Sequence, residues 1–306
     1  MKVVIASSSY VSKPLISLLS SSNEHELIGL ITNPDKATGR GMNIVPNELA
    51  SWGMSNGINV LKPDGRDHLK GLIKTLNPEI VITIAYGQII PEELLNLPKH
   101  GWINVHFSSL PRWRGAAPVQ WAILSADKES GVTIFKLDKG MDTGPVYLSK
   151  SVLIEPGETT ELLLTRLSNI GSDLALQSLS IIQGGTEPVA QANTGVTLAP
   201  KINKNDGKIN WYENTSEIFN RYRALAGNPG IWTLLGELRL KIDSLEVSNR
   251  TEKLSPSEVL ITDEHLLVGA KNGVVEIKTL TPAGRSQMSA AEFIRGLPNK
   301  SGLQLG

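Results

Sequence analysis

The segment Ile80-Val81-Ile82-Thr83-Ile84 is apolar or β-branched at every position and sets the architecture of the first half of the chain. A strand without polar alternation has both faces buried, which is typical of a parallel sheet covered by helices on both sides. Runs of the same kind occupy residues 3–6, 27–31, 58–61 and 102–105. Amphipathic stretches that predict helices separate them, near residues 14–19, 46–55, 68–76 and 91–97. This alternation predicts a doubly wound, Rossmann-like α/β domain with a mostly parallel sheet.

A different pattern begins after a long predicted helix, residues 161–183, which is followed by Gly184 and Gly185. The next stretch, 186–198, is polar and has the composition of a linker. Short apolar runs separated by turn residues then recur at intervals of about ten residues, which predicts a small antiparallel barrel or sandwich. We therefore expect a first domain over residues 1–189, a linker over 190–207 and the C-terminal barrel over 208–306.

The overall composition excludes several kinds of chemistry. The 306-residue chain has 30 Lys and Arg against 30 Asp and Glu, and this zero net charge argues against coating nucleic acid or membranes by bulk electrostatics. The absence of cysteine excludes disulfides, thiolate metal sites and thiol nucleophiles. None of the five histidines pairs with another at the i, i+3 or i, i+4 spacing, so we predict no metal. No apolar run approaches the roughly 20 residues that span a bilayer, and a cytoplasmic protein is expected.

Several nucleotide and hydrolase motifs are missing from the predicted sheet. The turn after the first strand, residues 7–12, contains no glycine, so the dinucleotide fingerprint is absent. The sequence also contains neither a P-loop nor a Gly-x-Ser-x-Gly motif. A nicotinamide oxidoreductase and a serine hydrolase are therefore poorly supported.

The densest group of chemically useful residues begins at the end of the strand predicted over residues 102–105. Asn104 and His106 are two residues apart, so on a strand both side chains point to the same face. An amide and an imidazole at the carboxyl end of a parallel sheet can polarise a carbonyl and move a proton. Asp142 lies in a turn rich in Gly and Pro and can face the same cleft. Structural roles fit each residue as well, Asn104 capping a turn, His106 held in the core and Asp142 bonded to its own turn.

Basic residues that could contact RNA lie near this group and at the start of the second half. Arg112 and Arg114 flank Trp113, an arrangement suited to phosphate contact and to stacking on an unpaired base. Lys201 and Lys204 belong to a basic cluster at the entry to the second domain. Packed or solvated side chains explain the same pattern.

Three motifs, in this order, resemble the 10-formyltetrahydrofolate-dependent formyltransferases. They are Asn104-x-His106-x-Ser108-x-Leu110-Pro111, the downstream Gly115 and Pro118, and Met141-Asp142-Thr143-Gly144. The fuller string over residues 110–118 and the loop over residues 34–41 are similar to the branch of the family that acts on tRNA. The second half extends the resemblance through residues 197–202, 209–211 and 282–285, and the resemblance implies an OB-like β-barrel there.

The resemblance implies the reactants and the roles of individual residues. The implied donor is 10-formyltetrahydrofolate, and the implied acceptor is the α-amino group of methionine on initiator methionyl-tRNA. Asn104, His106 and Asp142 match the catalytic trio, and Arg40 matches an inserted loop that meets the acceptor stem. The implied folate-binding loop consists of Ser108, Ser109, Leu110 and Pro111. The residues themselves add Tyr86 and Gly87, because a glycine in the turn after the strand 80–84 lets a flat ligand approach the backbone.

From these roles we expect an amide donor at Asn104 and a protonated His106 to stabilise the oxyanion of formyl transfer, one such donor being worth about 10²–10³ in rate. Asp142 is expected to raise the pKa of His106 by charge proximity. We expect a monomer in which the C-terminal barrel holds the tRNA. Two alternatives remain, a formyltransferase with a small acceptor such as a sugar amine or glycinamide ribonucleotide, and a non-catalytic RNA-binding module.

Overall fold

A computed structural model describes residues 1–38, 42–262 and 264–306. The chain divides into two compact units, each built from separate stretches of sequence. The first unit comprises Met1–Pro118, Glu129–Leu153 and Leu164–Ala199, and the second comprises Val119–Lys128, Ile154–Leu163 and Pro200–Gly306. The domain limits at residues 189 and 208 stay predictions.

Helices and strands alternate in the first half, and strands dominate the second. The helices are α1 (Lys13–Ser20), α2 (Glu48–Ser55), α3 (Arg66–Leu76), α4 (Glu92–Leu95), α5 (Pro118–Leu124), α6 (Thr160–Gln183), α7 (Thr215–Leu225) and α8 (Ala290–Arg295). The first eleven strands are β1 (Lys2–Ser7), β2 (Glu26–Ile31), β3 (Lys36–Thr38), β4 (Asn43–Val45), β5 (Val60–Leu61), β6 (Ile80–Ile84), β7 (Trp102–His106), β8 (Arg114–Gly115), β9 (Glu129–Lys136), β10 (Val146–Leu153) and β11 (Leu198–Ala199). The remaining strands are β12 (Ile231–Leu235), β13 (Leu238–Val247), β14 (Val259–Thr262), β15 (His265–Ala270), β16 (Gly273–Pro282) and β17 (Met288–Ser289).

The first unit contains a seven-stranded sheet in the order β10-β9-β7-β6-β1-β2-β5. Neighbours from β7 to β5 are parallel, whereas β9 pairs antiparallel with both β7 and β10. The strand order reverses between β1 and β6, and ligands bind at the carboxyl ends of strands near such a reversal. The predicted Rossmann-like, mostly parallel sheet is confirmed.

Complete burial of the central strands explains their continuous apolar sequence. Every residue of β6 is buried, and Val3, Val4, Ile5 and Ala6 of β1 are fully buried. On one face, strand residues pack with residues of α3 and α4, namely Val4, Ile31, Val81, Trp102, Leu69, Ile73 and Leu94. Each such aliphatic side chain contributes roughly 1.5–3 kcal/mol on burial. This rigid layer carries the loops at the carboxyl ends of β6 and β7.

The second unit contains an antiparallel sheet in the order β12-β13-β16-β15-β14. Its two edges are both hydrogen-bonded by the last residues of the chain. Leu234 N donates to Gly306 O (2.8 Å), and Val259 N donates to Leu303 O (3.0 Å). Residues 303–306 thus cover the unpaired groups of both edge strands, which would otherwise be open to pairing with another chain. The predicted antiparallel sheet domain at the C-terminus is confirmed.

No helix within the described ranges is long and apolar enough to cross a bilayer.

Candidate active site

The amide of Asn104 is oriented by the neighbouring strand. Strands β6 and β7 are parallel, and their register places Thr83 opposite Asn104. The buried Thr83 hydroxyl lies 2.9 Å from Asn104 Oδ1 and 3.1 Å from Ile103 O, and it donates its single proton to the nearer acceptor, the amide oxygen. With the oxygen engaged, Nδ2 is the atom of Asn104 that can donate to a ligand. Among the described residues, no acceptor takes a hydrogen bond from Nδ2, and Asn104 is half-buried rather than enclosed.

His106 ends β7 and is held between a backbone carbonyl and a carboxylate. Its ring is 5% exposed. Nε2 lies 2.9 Å from Trp113 O, so Nε2 carries the proton of the neutral ring and donates it to that carbonyl. Nδ1 lies 3.7 Å from Asp142 Oδ2, which is longer than a direct hydrogen bond. The neutral ring therefore presents Nδ1 as a proton acceptor beside a negative charge.

Burial decides the protonation state of His106. Loss of hydration lowers the pKa of His106 below its ordinary value of 6.5, and this effect outweighs the opposing influences of Asp142 and the Trp113 carbonyl. The expectation that Asp142 makes His106 a protonated oxyanion partner is therefore wrong in its net direction. Asp142 does raise the pKa of His106, but by less than desolvation lowers it. The resting imidazole is neutral, which suits a general base.

The lowered pKa of His106 predicts a pH-dependent stability. In the unfolded chain the ring binds its proton at the ordinary pKa of 6.5, so below that pH the unfolded state holds more protons than the folded state. The free energy of unfolding should therefore fall as the pH decreases from about 7.5 to about 5.5. We expect denaturant titrations to show a smaller fall for His106→Gln than for the unmodified protein.

His25 and His100, whose pKa values are lowered mainly by burial, are present in both proteins and cancel in this comparison. An equal fall of the unfolding free energy in both proteins would contradict the assignment of His106 as buried and neutral.

Asp142 reaches the site from the Asp142 loop, residues 137–145, which joins β9 to β10. Its backbone is in the left-handed region, with φ of 53°, a conformation that Asp tolerates better than most residues. Oδ2 accepts a hydrogen bond of 2.8 Å from Gly115 N, which fixes the carboxylate from across the site. Gly115 has φ of 126°, and a Cβ there would lie 2.6 Å from Ala199 O. A larger residue at position 115 would therefore displace the donor that holds Asp142.

The turn itself is held by another carboxylate. Asp138 Oδ1 accepts hydrogen bonds from Gly140 N at 2.9 Å and from the Thr143 hydroxyl at 2.7 Å. Asp138, and not Asp142, is therefore the residue that bonds the backbone of this turn. The Asp142 carboxylate points toward His106 instead.

Gln191 is a neighbour of the site that the sequence did not indicate. Its Nε2 donates to Asp142 O and to Gly144 O, both at 2.8 Å, and its Oε1 accepts from Arg114 Nη2 at 2.7 Å. It lies in the polar stretch predicted as a linker, and no local pattern distinguishes it from the polar residues around it. Strand β11, later in the same stretch, pairs in parallel with β8 inside the first unit.

The segment Ser108–Pro111 is anchored on β9. The buried Ser108 hydroxyl donates to Arg112 O at 2.6 Å, and Thr133 Oγ1 donates to Ser108 O at 2.7 Å. Leu110 N donates to the same Thr133 hydroxyl at 3.2 Å, and the Leu110–Pro111 peptide is cis. These contacts hold the segment directly after His106.

Comparison with known proteins identifies the family. The family described as formyl transferase matches residues 1–179, and the family described as formyl transferase, C-terminal domain, matches residues 201–298. Methionyl-tRNA formyltransferase of Corynebacterium diphtheriae is 37% identical over 291 residues, which cover 92% of this chain and 93% of that protein. The chain belongs to the methionyl-tRNA formyltransferase family. The resemblance to the formyltransferases is thereby confirmed.

Two solved structures share the fold. Methionyl-tRNA formyltransferase from Clostridium thermocellum superposes with a TM-score of 0.60 at 19% identity, covering 81% of this chain and 94% of that one. HypX from Aquifex aeolicus, solved in complex with tetrahydrofolic acid, gives a TM-score of 0.69 at 18% identity. The match covers 97% of this chain and 48% of HypX, so the chain spans about half the length of that protein.

In the turn after β6, Tyr86 is buried and Gly87 is exposed. The Tyr86 ring is buried in the core, and burial raises the pKa of its hydroxyl to about 12. Gly87 has φ of 73°, and no atom of the described residues lies within 4 Å of the position that a Cβ would occupy. A ligand can therefore approach the backbone at Gly87, whereas the ring of Tyr86 faces inward.

The basic residues predicted to contact tRNA are distributed over both units. The Arg112 guanidinium lies 4.5 Å from the centroid of the Trp113 ring, and Arg114 is bonded to Gln191. Lys201 and Lys204 are exposed in the second unit. Arg40 lies outside the described residues. Within residues 1–38, 42–262 and 264–306, no three His, Asp or Glu side chains are grouped so that they could hold a metal.

Proposed function

We propose that this chain transfers the formyl group of 10-formyltetrahydrofolate to the α-amino group of methionine on initiator methionyl-tRNA. The observation that carries the proposal is that Asn104 and His106 lie on one face at the carboxyl end of β7, with Asp142 Oδ2 3.7 Å from His106 Nδ1. The curated relative from C. diphtheriae, which aligns over nearly the whole chain, has a name that gives the same reaction. The reaction supports translation, and we place it in the cytoplasm.

Asn104 acts on the formyl oxygen in this proposal. Attack of the amine on the formyl carbon converts the carbonyl oxygen into an oxyanion, which needs a hydrogen-bond donor that is already oriented. Asn104 Nδ2 is such a donor, because Thr83 engages the amide oxygen. One such donor typically contributes about 10²–10³ in rate.

His106 and Asp142 move the proton. The attacking amine loses a proton when its bond to the formyl carbon forms, and the N10 of tetrahydrofolate needs one when its bond to that carbon breaks. His106 Nδ1 can accept the first proton and deliver the second, since Nε2 is committed to Trp113 O. Asp142 Oδ2, 3.7 Å away, stabilises the imidazolium that exists between the two transfers.

The folate and tRNA contacts complete the proposal. Ser108, Ser109, Leu110, Pro111 and the backbone at Gly87 are proposed to bind the folate. Proposed tRNA contacts are Arg40, Arg112, Arg114, Lys201 and Lys204. Phosphate contacts by these side chains make tRNA binding weaken as salt rises, whereas folate binding should depend on salt far less. A monomer suffices for this reaction.

A comparison of acceptors tests the proposal. The protein is incubated with 10-formyltetrahydrofolate and, in separate reactions, with methionyl initiator tRNA, uncharged initiator tRNA, glycinamide ribonucleotide or a nucleotide-linked amino sugar. Of the four acceptors, we expect only methionyl initiator tRNA to give rapid release of tetrahydrofolate. Turnover restricted to a small amine would support the small-acceptor formyltransferase, and tRNA binding without turnover would support the non-catalytic RNA-binding module.

A further inference from the structure

The chain that follows α6 returns to the site and runs along two of its loops. Val189 exchanges backbone hydrogen bonds of 2.7 and 2.9 Å with Val146, which follows the Asp142 loop. Further on, β11 pairs in parallel with β8, the strand that contains Gly115. Gln191 lies between these two attachments, and all of these residues belong to the first unit.

Both ends of the Gln191 side chain are engaged. The amide nitrogen donates one hydrogen bond to Asp142 O and one to Gly144 O, which uses both of its protons. The amide oxygen accepts from Arg114 Nη2 at 2.7 Å and from Arg114 Nε at 3.2 Å. A glutamate could keep the bonds to Arg114, but its oxygens would face two carbonyl oxygens that need donors.

The backbone at Asp142 needs such a support. Its φ of 53° is a left-handed conformation, and the tip of the loop at Lys139, Gly140 and Met141 is exposed. The side chain is held by Gly115 N, and the backbone is held by Gln191. Because the carboxylate lies 3.7 Å from His106 Nδ1, a small rotation of this backbone would change the charge that His106 experiences.

We infer that Gln191, braced by Arg114, is a positioning residue for formyl transfer that holds the Asp142 carboxylate beside His106. The inference rests on the proposed function, because it acts through the proton transfer assigned to His106. It also gives Arg114 a structural task at the site, in addition to the proposed contact with tRNA.

The test compares Gln191→Ala and Gln191→Glu with the unmodified protein in the formyl-transfer assay. We expect kcat to fall about 10- to 100-fold in both variants, since displacement of a catalytic group by about 1 Å has an effect of that order. The KM values for folate and tRNA should change less than about threefold. The pH at which kcat falls on the acid side should move lower, because a displaced Asp142 raises the pKa of His106 less. Gln183→Glu, at an exposed position at the end of α6, is the matched control and should behave as the unmodified protein.

A double-mutant cycle separates positioning from general damage. In an Asp142→Asn background, Gln191→Ala should lower kcat by less than about threefold, because the group that it positions no longer has its charge. The Glu variant preserves the bonds to Arg114 and serves if the Ala variant does not fold. Two results would overturn the inference if the unmodified protein is active. One is a kcat and pH profile that do not change in the Gln191 variants, and the other is additive losses of kcat in the double-mutant cycle. An inactive unmodified protein would instead overturn the proposed function.

Discussion

Replacing His106 by alanine is expected to lower the rate of formyl transfer by about three orders of magnitude while the protein remains folded. The substitution removes the only side chain of the trio that can accept and return a proton near neutral pH. Asp142 cannot substitute for it, because its carboxylate is engaged by Gly115 N on one side. The rate should be measured at saturating concentrations of both substrates, so that kcat reports the chemical step.

The control must allow for the burial of His106. Removing a buried ring leaves a cavity and costs stability, so thermal unfolding of the variant should be followed in parallel. His68→Ala, at an exposed position in α3, is a matched control and should retain full activity. Turnover of folded His106→Ala within about threefold of the unmodified protein would contradict the assigned role.

The second large effect is expected at Asn104. Asn104→Asp keeps the size of the side chain but removes the amide donor and adds a negative charge where an oxyanion forms. We expect kcat to fall by at least about 10²–10³-fold, the usual effect of losing one oxyanion donor. The KM for folate should change little, since the donor acts mainly on the transition state.

Thr83 provides a graded version of the same experiment. Thr83→Val removes the hydroxyl that engages Asn104 Oδ1 but leaves the donor in place, so a loss of about 2- to 10-fold is expected. Thr83→Ser should restore most of the activity. Asn23→Asp, at an exposed position, is the control for the charge. Normal turnover of Asn104→Asp would exclude Asn104 as the oxyanion donor.

The buried strands were predictable because their burial leaves a direct trace in the sequence. The predicted strand 80–84 coincides with β6, and the long helix predicted over 161–183 begins one residue earlier, at Thr160. The strand predicted over 58–61 is shortened to Val60–Leu61, because Ile58 N donates to Gly53 O and closes the end of α2 instead of pairing. The closing segment 303–306 was not predicted, because a short terminal stretch has no periodicity to detect.

The site was predictable only where its residues are close in sequence. Asn104 and His106 share a strand, so their common face follows from spacing. The bond from Gly115 N to Asp142 joins residues 27 apart, and the bonds of Gln191 join residues 47 to 77 apart, distances at which one sequence has no local signal. The direction of the pKa shift of His106 depends on how completely the fold encloses the ring, which spacing does not reveal.

Transfer of a labelled formyl group tests the central claim most directly. The protein is mixed with methionyl initiator tRNA and with 10-formyltetrahydrofolate that carries carbon-13 in its formyl group. The aminoacyl ester bond is then hydrolysed, and the mass of the released methionine is measured by mass spectrometry. We expect one labelled formyl group on the α-amino nitrogen of methionine, and labelling about a thousandfold slower when His106→Ala replaces the unmodified protein. The central claim would be contradicted if the methionine ester carried no formyl group after incubation with active substrates, or if His106→Ala labelled it as fast as the unmodified protein.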